Sequence, residues 1–165
     1  MITQITVEHL TYVSDLPFEV VLNNFREQVG SLEEIGWDAI PEASSDQEDF
    51  ERRVREYLGP SGFTRFLTID HGTWVTQQGF PARFIQYTIG NPLIAITMMQ
   101  HHVEAGLDVP VRIAIYEHPD GKTRLVFNTP SSLMSSLGND DVTSAAVKLD
   151  AKMAALAEAV TGSKA

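Results

Sequence analysis

Five histidines, His9, His71, His101, His102 and His118, are the side chains whose ordinary pKa lies nearest neutrality. His71 is the first candidate for proton exchange. It follows Asp70 at the end of a β-patterned run and precedes Gly72, where a loop would present it as a general acid or base. Asp70 does not orient it by adjacency, since neighbouring strand residues face opposite sides. A hydrogen-bonded structural histidine fits the same pattern. His9 and His118 fall on an exposed strand and in a turn. His101 and His102 end a helical run that also holds Met98 and Met99, soft donors suited to copper or haem iron. Adjacent helical residues point ~100° apart, and methionine at helical spacing more often fills a core. No metal and no cofactor is assigned from them.

Two further groups carry chemistry. Gly90-Asn91-Pro92 joins a strand to the most apolar helix in the chain. Gly90 permits close approach, Asn91 is a good N-cap and Pro92 suits the first helical position. The motif is either a well-made turn or a helix N-terminus that holds a carboxylate or phosphate. Arg112 and Tyr116 share one strand face with Ala114 between them, opposite the apolar Val111, Ile113 and Ile115. That face could floor a pocket with an anion partner and a hydrogen-bond donor, be solvated, or form half of a dimer interface. Tyr87, on the strand leading into Gly90, would share the pocket.

These residues must be positioned by recognisable elements. Residues 2–12 are β-branched and aromatic and predict a strand. Asp15-Leu16-Pro17-Phe18 opens a helix carrying Phe18, Val21, Leu22, Phe25 and Val29, which Gly30 stops. After an irregular acidic stretch over 31–45 containing Trp37, the capping box Ser45-Asp46-Gln47-Glu48 starts a second helix that ends at Gly59-Pro60. Strands are expected over 63–70 and 83–89, separated by a wide connection. Residues 110–128 predict a hairpin about the His118-Pro119-Asp120-Gly121 turn. Over 140–161, Val142, Ala146, Leu149, Met153, Leu156 and Val160 form one apolar helical stripe. Helices grouped against a mostly antiparallel sheet make the expected fold α+β, in one domain over 1–165.

Composition limits the function. The 165 residues carry 12 Lys and Arg against 22 Asp and Glu, a net charge of −10, with no cysteine. Thiol nucleophiles, iron–sulfur clusters and cysteine zinc sites are excluded. The negative charge repels phosphate backbones, so no nucleic-acid partner is expected. No apolar run approaches the ~18–20 residues of a membrane span, and no basic-then-apolar leader opens the sequence, so a cytoplasmic protein without a membrane partner is expected. The hydroxyl-rich 131–136 stretch lacks a Gly-x-Ser-x-Gly elbow, and no Walker, Gly-x-Gly-x-x-Gly or His-Glu-x-x-His motif occurs.

The run Ile89-Gly90-Asn91-Pro92-Leu93-Ile94-Ala95, then Ala105 to Glu117, Asp120-Gly121-Lys122-Thr123-Arg124 and Thr129-Pro130 resembles the domain of unknown function 302 (DUF 302) family. The resemblance covers roughly residues 60–160 and leaves 31–60 as an elaboration. It implies a TATA-binding-protein-like β-α-β-β-α-β-β-α order, here with one extra helix, and a homodimer, but no reaction. Some relatives place a cysteine before the Asn-Pro pair, where this chain has Gly90, so no thiol or metal role carries over.

The expected function is binding of a small apolar or weakly anionic ligand near Gly90 and Asn91, with Tyr87, Arg112 and Tyr116 around it. The alternatives are an enzyme using His71 as general acid or base, and a dimerisation or partner-docking module using the Arg112/Tyr116 face.

Overall fold

A computed structural model describes residues 1–165. In chain order the elements are β1 (His9–Ser14), α1 (Phe18–Gln28), β2 (Val29–Ser31), α2 (Ala39–Ala43), α3 (Gln47–Glu56), β3 (Phe63–Asp70) and α4 (His71–Gln77). They continue with β4 (Phe84–Gly90), α5 (Pro92–Met99), β5 (Val111–Glu117), β6 (Thr123–Asn128), α6 (Pro130–Leu133) and α7 (Asp140–Thr161). The strands form one six-stranded sheet in the order β1-β6-β5-β4-β3-β2, antiparallel except where β2 joins β3. The architecture is α+β.

Alternation along the strands selects a helix-covered face and an open one. Tyr12, Tyr87, Ile89, Ile113, Ile115, Leu125 and Phe127 point toward α1 and α7 and are buried. The stripe on α7 is buried at all six expected positions, and α1 adds Phe18, Val21, Leu22 and Phe25. Each such Val, Leu, Ile, Phe or Met side chain contributes ~1.5–3 kcal/mol on leaving water. The opposite face lets Arg112, Val13 and Leu67 reach solvent. A satellite cluster of Leu32, Ile40 and Val54, with half-buried Trp37, Phe50, Phe66 and Leu93 against it, holds α2 and α3 beside β3 and α5.

Four local expectations change. The first strand spans His9–Ser14, not 2–12: β6 ends at Asn128, so residues before Glu8 find no strand to pair with. Val29 and Gly30 do not end α1 but enter β2. A Cβ at Gly30 would lie 1.9 Å from the Tyr57 carbonyl oxygen, so glycine there admits the turn after α3. The connection after β3 contains α4, capped by Asp70, whose Oδ1 accepts from the Thr73 amide at 3.1 Å. A bulge in β3 between Arg65 and Leu67 interrupts the expected alternation. Phe63 is therefore buried while Leu67, an even number of residues on, lies on the open face at 49% exposure.

Candidate functional site

The Gly90-Asn91-Pro92 turn is built from both sides. Asn91 caps α5: its Oδ1 accepts from the Leu93 amide at 2.9 Å, while its Nδ2 donates to the Gly62 carbonyl at 3.0 Å. The amides of Ile94 and Ala95 both donate to the Asn91 carbonyl at 2.9 Å, and Pro92 has none. Every first-turn amide is thus satisfied within the chain, which leaves no donor here for a carboxylate or phosphate. At Gly90 an added Cβ would meet the Pro110 Cβ at 3.1 Å and the Phe66 ring at 3.3 Å. The glycine keeps the gap between β3, β4 and the start of β5 open.

That gap is the floor of a cavity of about 860 Å³ lined by 19 residues, 12 of them hydrophobic. Its walls come from three places. The segment between β2 and β3 supplies Trp37 and Phe50, and the β3 bulge supplies Phe66. The outer turns of α5 supply Leu93, Ile96 and Met99. Trp37 meets the Phe50 ring edge-on at 6.2 Å and the Phe66 ring at 5.6 Å, so the aromatic wall is a continuous unit. Polar groups sit at the margin: Gln47, Glu51, Gln100 and the already committed Asn91. Glu51 is itself held by Gln47 at 3.0 Å and Arg55 at 2.8 Å, which lower its pKa in that order of effect. The site is a carbon-lined groove with a weakly acidic margin.

Of the six candidate site residues His71, Tyr87, Gly90, Asn91, Arg112 and Tyr116, the structure brings Gly90 and Asn91 to this cavity and sends the other four elsewhere. Tyr87 lies on the helix-covered face, fully buried, with its ring stacked 4.3 Å from Phe25. Burial pushes the pKa of its hydroxyl up; the hydroxyl makes no well-formed hydrogen bond, although the Arg26 guanidinium is near enough to oppose that rise. Arg112 is exposed on the open face, in register with Thr88. Tyr116 pairs with Phe84 at the far end of β4, the two rings stacked at 5.6 Å. His71 stands at that same far end, its ring 5.5 Å from Phe84. Six residue steps along β4, or ~20 Å of strand, separate this aromatic corner from Gly90.

The chemistry of His71 is set by Trp74, whose indole Nε1–H donates to Nδ1 at 3.1 Å. An accepting Nδ1 puts the proton of the neutral ring on Nε2. Asp70 spends its carboxylate on Thr73, accepting from the hydroxyl at 2.6 Å, so no carboxylate orients the imidazole. Near α5, Met98 is fully buried and Met99 lines the cavity, while His101 faces Asp141 at 3.6 Å. No group of three His, Cys, Asp or Glu side chains converges as a metal-binding set.

The aromatic wall is what residue-by-residue reading missed. Trp37 sits in a stretch without periodicity, and Phe66 lies in a bulge that no alternation reveals. The available signal was two aromatics, Trp37 and Phe50, in a segment otherwise rich in acids.

An α+β domain whose strand–turn–helix corner floors an apolar groove defines the class. The chain belongs to the DUF302 family: the family model described as "Domain of unknown function DUF302" matches residues 42–160, a span that includes α3. Among solved structures, the crystal structure of an uncharacterized conserved DUF302 protein from Bacillus stearothermophilus superposes with a TM-score of 0.66, at 13% identity. It covers 92% of this chain and 97% of that one. Among curated proteins, "Fluoride-specific ion channel FluC 1" of Brucella suis biovar 1 (strain 1330) is 32% identical over 84 residues. That is 49% of this chain and 32% of that protein. "Fluoride-specific ion channel FluC 2" of Brucella melitensis biotype 1 matches equally over 49% of this chain and 30% of its own length. The chain therefore spans about a third of the curated relatives it matches. No helix of this chain is long and apolar enough to cross a membrane.

Proposed function

We propose that the chain binds a small, uncharged and mainly apolar molecule in the groove beside Gly90-Asn91-Pro92. The observation that supports this is a wall of Trp37, Phe50, Phe66, Leu93, Ile96 and Met99 left partly accessible around a cavity the size of a ligand site. The weakly anionic ligand considered from sequence loses its support, because the first-turn amides of α5 are spent. Arg112, which would have balanced the charge, does not line the groove. Fluoride conduction stays with the relatives that bear that name.

The neutral apolar dye phenylnaphthylamine tests the proposal. It should bind with a rise in emission, and Ile96→Glu, at a position 54% exposed, should weaken it ~10-fold or more without lowering the melting temperature. Unchanged affinity in that variant would remove the groove from consideration. Native mass spectrometry of freshly purified protein would identify a retained ligand directly.

The remaining parts of the proposal are one domain over 1–165, a homodimer, a cytoplasmic location and no nucleic-acid partner. One sheet that takes strands from His9 through Asn128 supports the first, and the net charge of −10 supports the last. The family resemblance supports the homodimer. Catalysis by His71 finds no supporting observation, since its acceptor nitrogen is occupied by Trp74.

A further inference from the structure

We infer that two copies of this chain join edge to edge through β1, each adding the segment before it as strand, so that the two sheets become one. This goes beyond the ligand groove and rests on the homodimer named above, for which it supplies the surface.

The pairing pattern shows which groups are free. His9 lies opposite Asn128, and the Thr129 amide donates to the Glu8 carbonyl at 2.9 Å. Glu8 is therefore at a bonded position of the antiparallel ladder, and so are Leu10, Tyr12 and Ser14. The N–H and C=O groups of the alternate residues, His9, Thr11 and Val13, point away from β6. β1 is the terminal strand of the sheet, so no strand of this chain lies on that side.

Terminal strands in monomeric proteins are usually blunted by lysine, proline, a bulge or shortness. The opposite edge obeys this, since β2 has only three residues. β1 has none of these devices, and its register with β6 is unbroken over six residues. Before it, Ile2, Thr3, Ile5, Thr6 and Val7 are β-branched, yet they form no strand and are exposed, Ile2 at 94%, Ile5 at 42% and Val7 at 40%. This is strand-forming sequence without a partner in its own chain.

The self-complementary, nearly uncharged edge points to a second copy as the occupant. Bodies of net charge −10 repel one another over most approaches. From Met1 to Ser14 the only Asp, Glu, Lys or Arg is Glu8, in a chain where such residues make up 21%. Two such edges meet without facing rows of carboxylates, and antiparallel pairing makes the contact two-fold and self-complementary, which closes the assembly at two.

Sedimentation velocity across a concentration series tests this. The unaltered chain should run at dimer mass. Thr11→Pro removes an outward donor while leaving the β6 bonds at Leu10 and Tyr12, and Ile5→Asp/Val7→Asp alters only exposed side chains ahead of the sheet. Each should raise the dimer dissociation constant ~10-fold or more with the melting curve of a folded protein. A dimer unaffected by both variants overturns the β1 edge while leaving the homodimer standing. An unaltered chain that stays monomeric overturns both.

Discussion

The side chain of Asn91 is a two-way tie: its amide nitrogen donates to the Gly62 carbonyl at 3.0 Å and its oxygen accepts from Leu93 at 2.9 Å. One residue thus caps α5 and fastens it to the chain entering β3, the two elements that flank the groove. The tie makes Asn91 a shaping residue of the proposed site rather than a group free to contact ligand.

Replacing Asn91 should therefore be felt in stability first. Asn91→Ala loses the cap and leaves the Gly62 carbonyl without its donor, for ~1–3 kcal/mol in urea denaturation. Asn91→Asp keeps the cap and should cost less. Equal losses would show that the Gly62 bond, not the cap, dominates.

The glycines beside the groove separate tight packing from impossible packing. Gly90→Ala would need the Pro110 and Phe66 neighbours at 3.1 and 3.3 Å to yield slightly, a cost of ~1 kcal/mol, with reduced dye affinity as the floor rises. Gly30→Ala would set a methyl 1.9 Å from a backbone carbonyl and should prevent folding at ordinary temperature. Circular dichroism melts of the two variants would distinguish them.

Tyr87 carries a buried hydroxyl with no well-formed hydrogen bond, the Arg26 guanidinium being its nearby polar neighbour. Its removal in Tyr87→Phe should be neutral or stabilising by up to ~1 kcal/mol, because a desolvated polar group disappears while the stack on Phe25 remains. The same variant should leave dye binding unchanged. A loss of more than ~1 kcal/mol would reveal a bonded hydroxyl.

Asp70 predicts an acid-side effect. The Thr73 hydroxyl, then the Thr73 amide, hold its carboxyl below the ordinary value. A carboxyl lowered on folding stabilises fully above the unfolded value of ~3.9, and that contribution is lost as pH falls through the folded value. Asp70→Asn should therefore be less stable than the unaltered chain at pH 7. The two urea midpoints should converge below pH ~4. A constant difference across the range would contradict the assignment.

Nitrogen-15 NMR of the imidazoles reads the His71–Trp74 bond. The neutral ring of His71 should show the Nε2–H form, and Trp74→Phe should let the Nδ1–H form appear. An Nδ1–H majority in the unaltered chain would reverse the donor and acceptor.

Much of the fold was legible because its signals are local. The 110–128 hairpin has alternation on both sides of a Pro-Asp-Gly turn, and Ile115 does face Leu125. The α7 stripe needed only helical spacing, and the Gly-Asn-Pro corner declared its own cap. The first strand departs from the 2–12 expectation for the opposite reason: β-branched residues state a preference for extended chain, but pairing requires a neighbour, and β6 stops at Asn128. The α4 helix leaves little trace in the sequence because its seven residues have no apolar stripe, only the Asp70 cap at their start.

The sequence alone determined the α+β class, the absence of thiol chemistry, the acidic body and the capped turn at Asn91, each of which depends on composition or on neighbours a few residues apart. Only the tertiary structure decided which residues share a site. Tyr116 lies on β5 and His71 at the start of α4, yet both pack against Phe84 at one end of β4 while Gly90 lies at the other. Trp37 and Phe66, from a segment without periodicity and a bulge, close on Gly90 instead. Register and bulges are set by contacts distant in sequence, so the walls of the groove exist only once the sheet has closed.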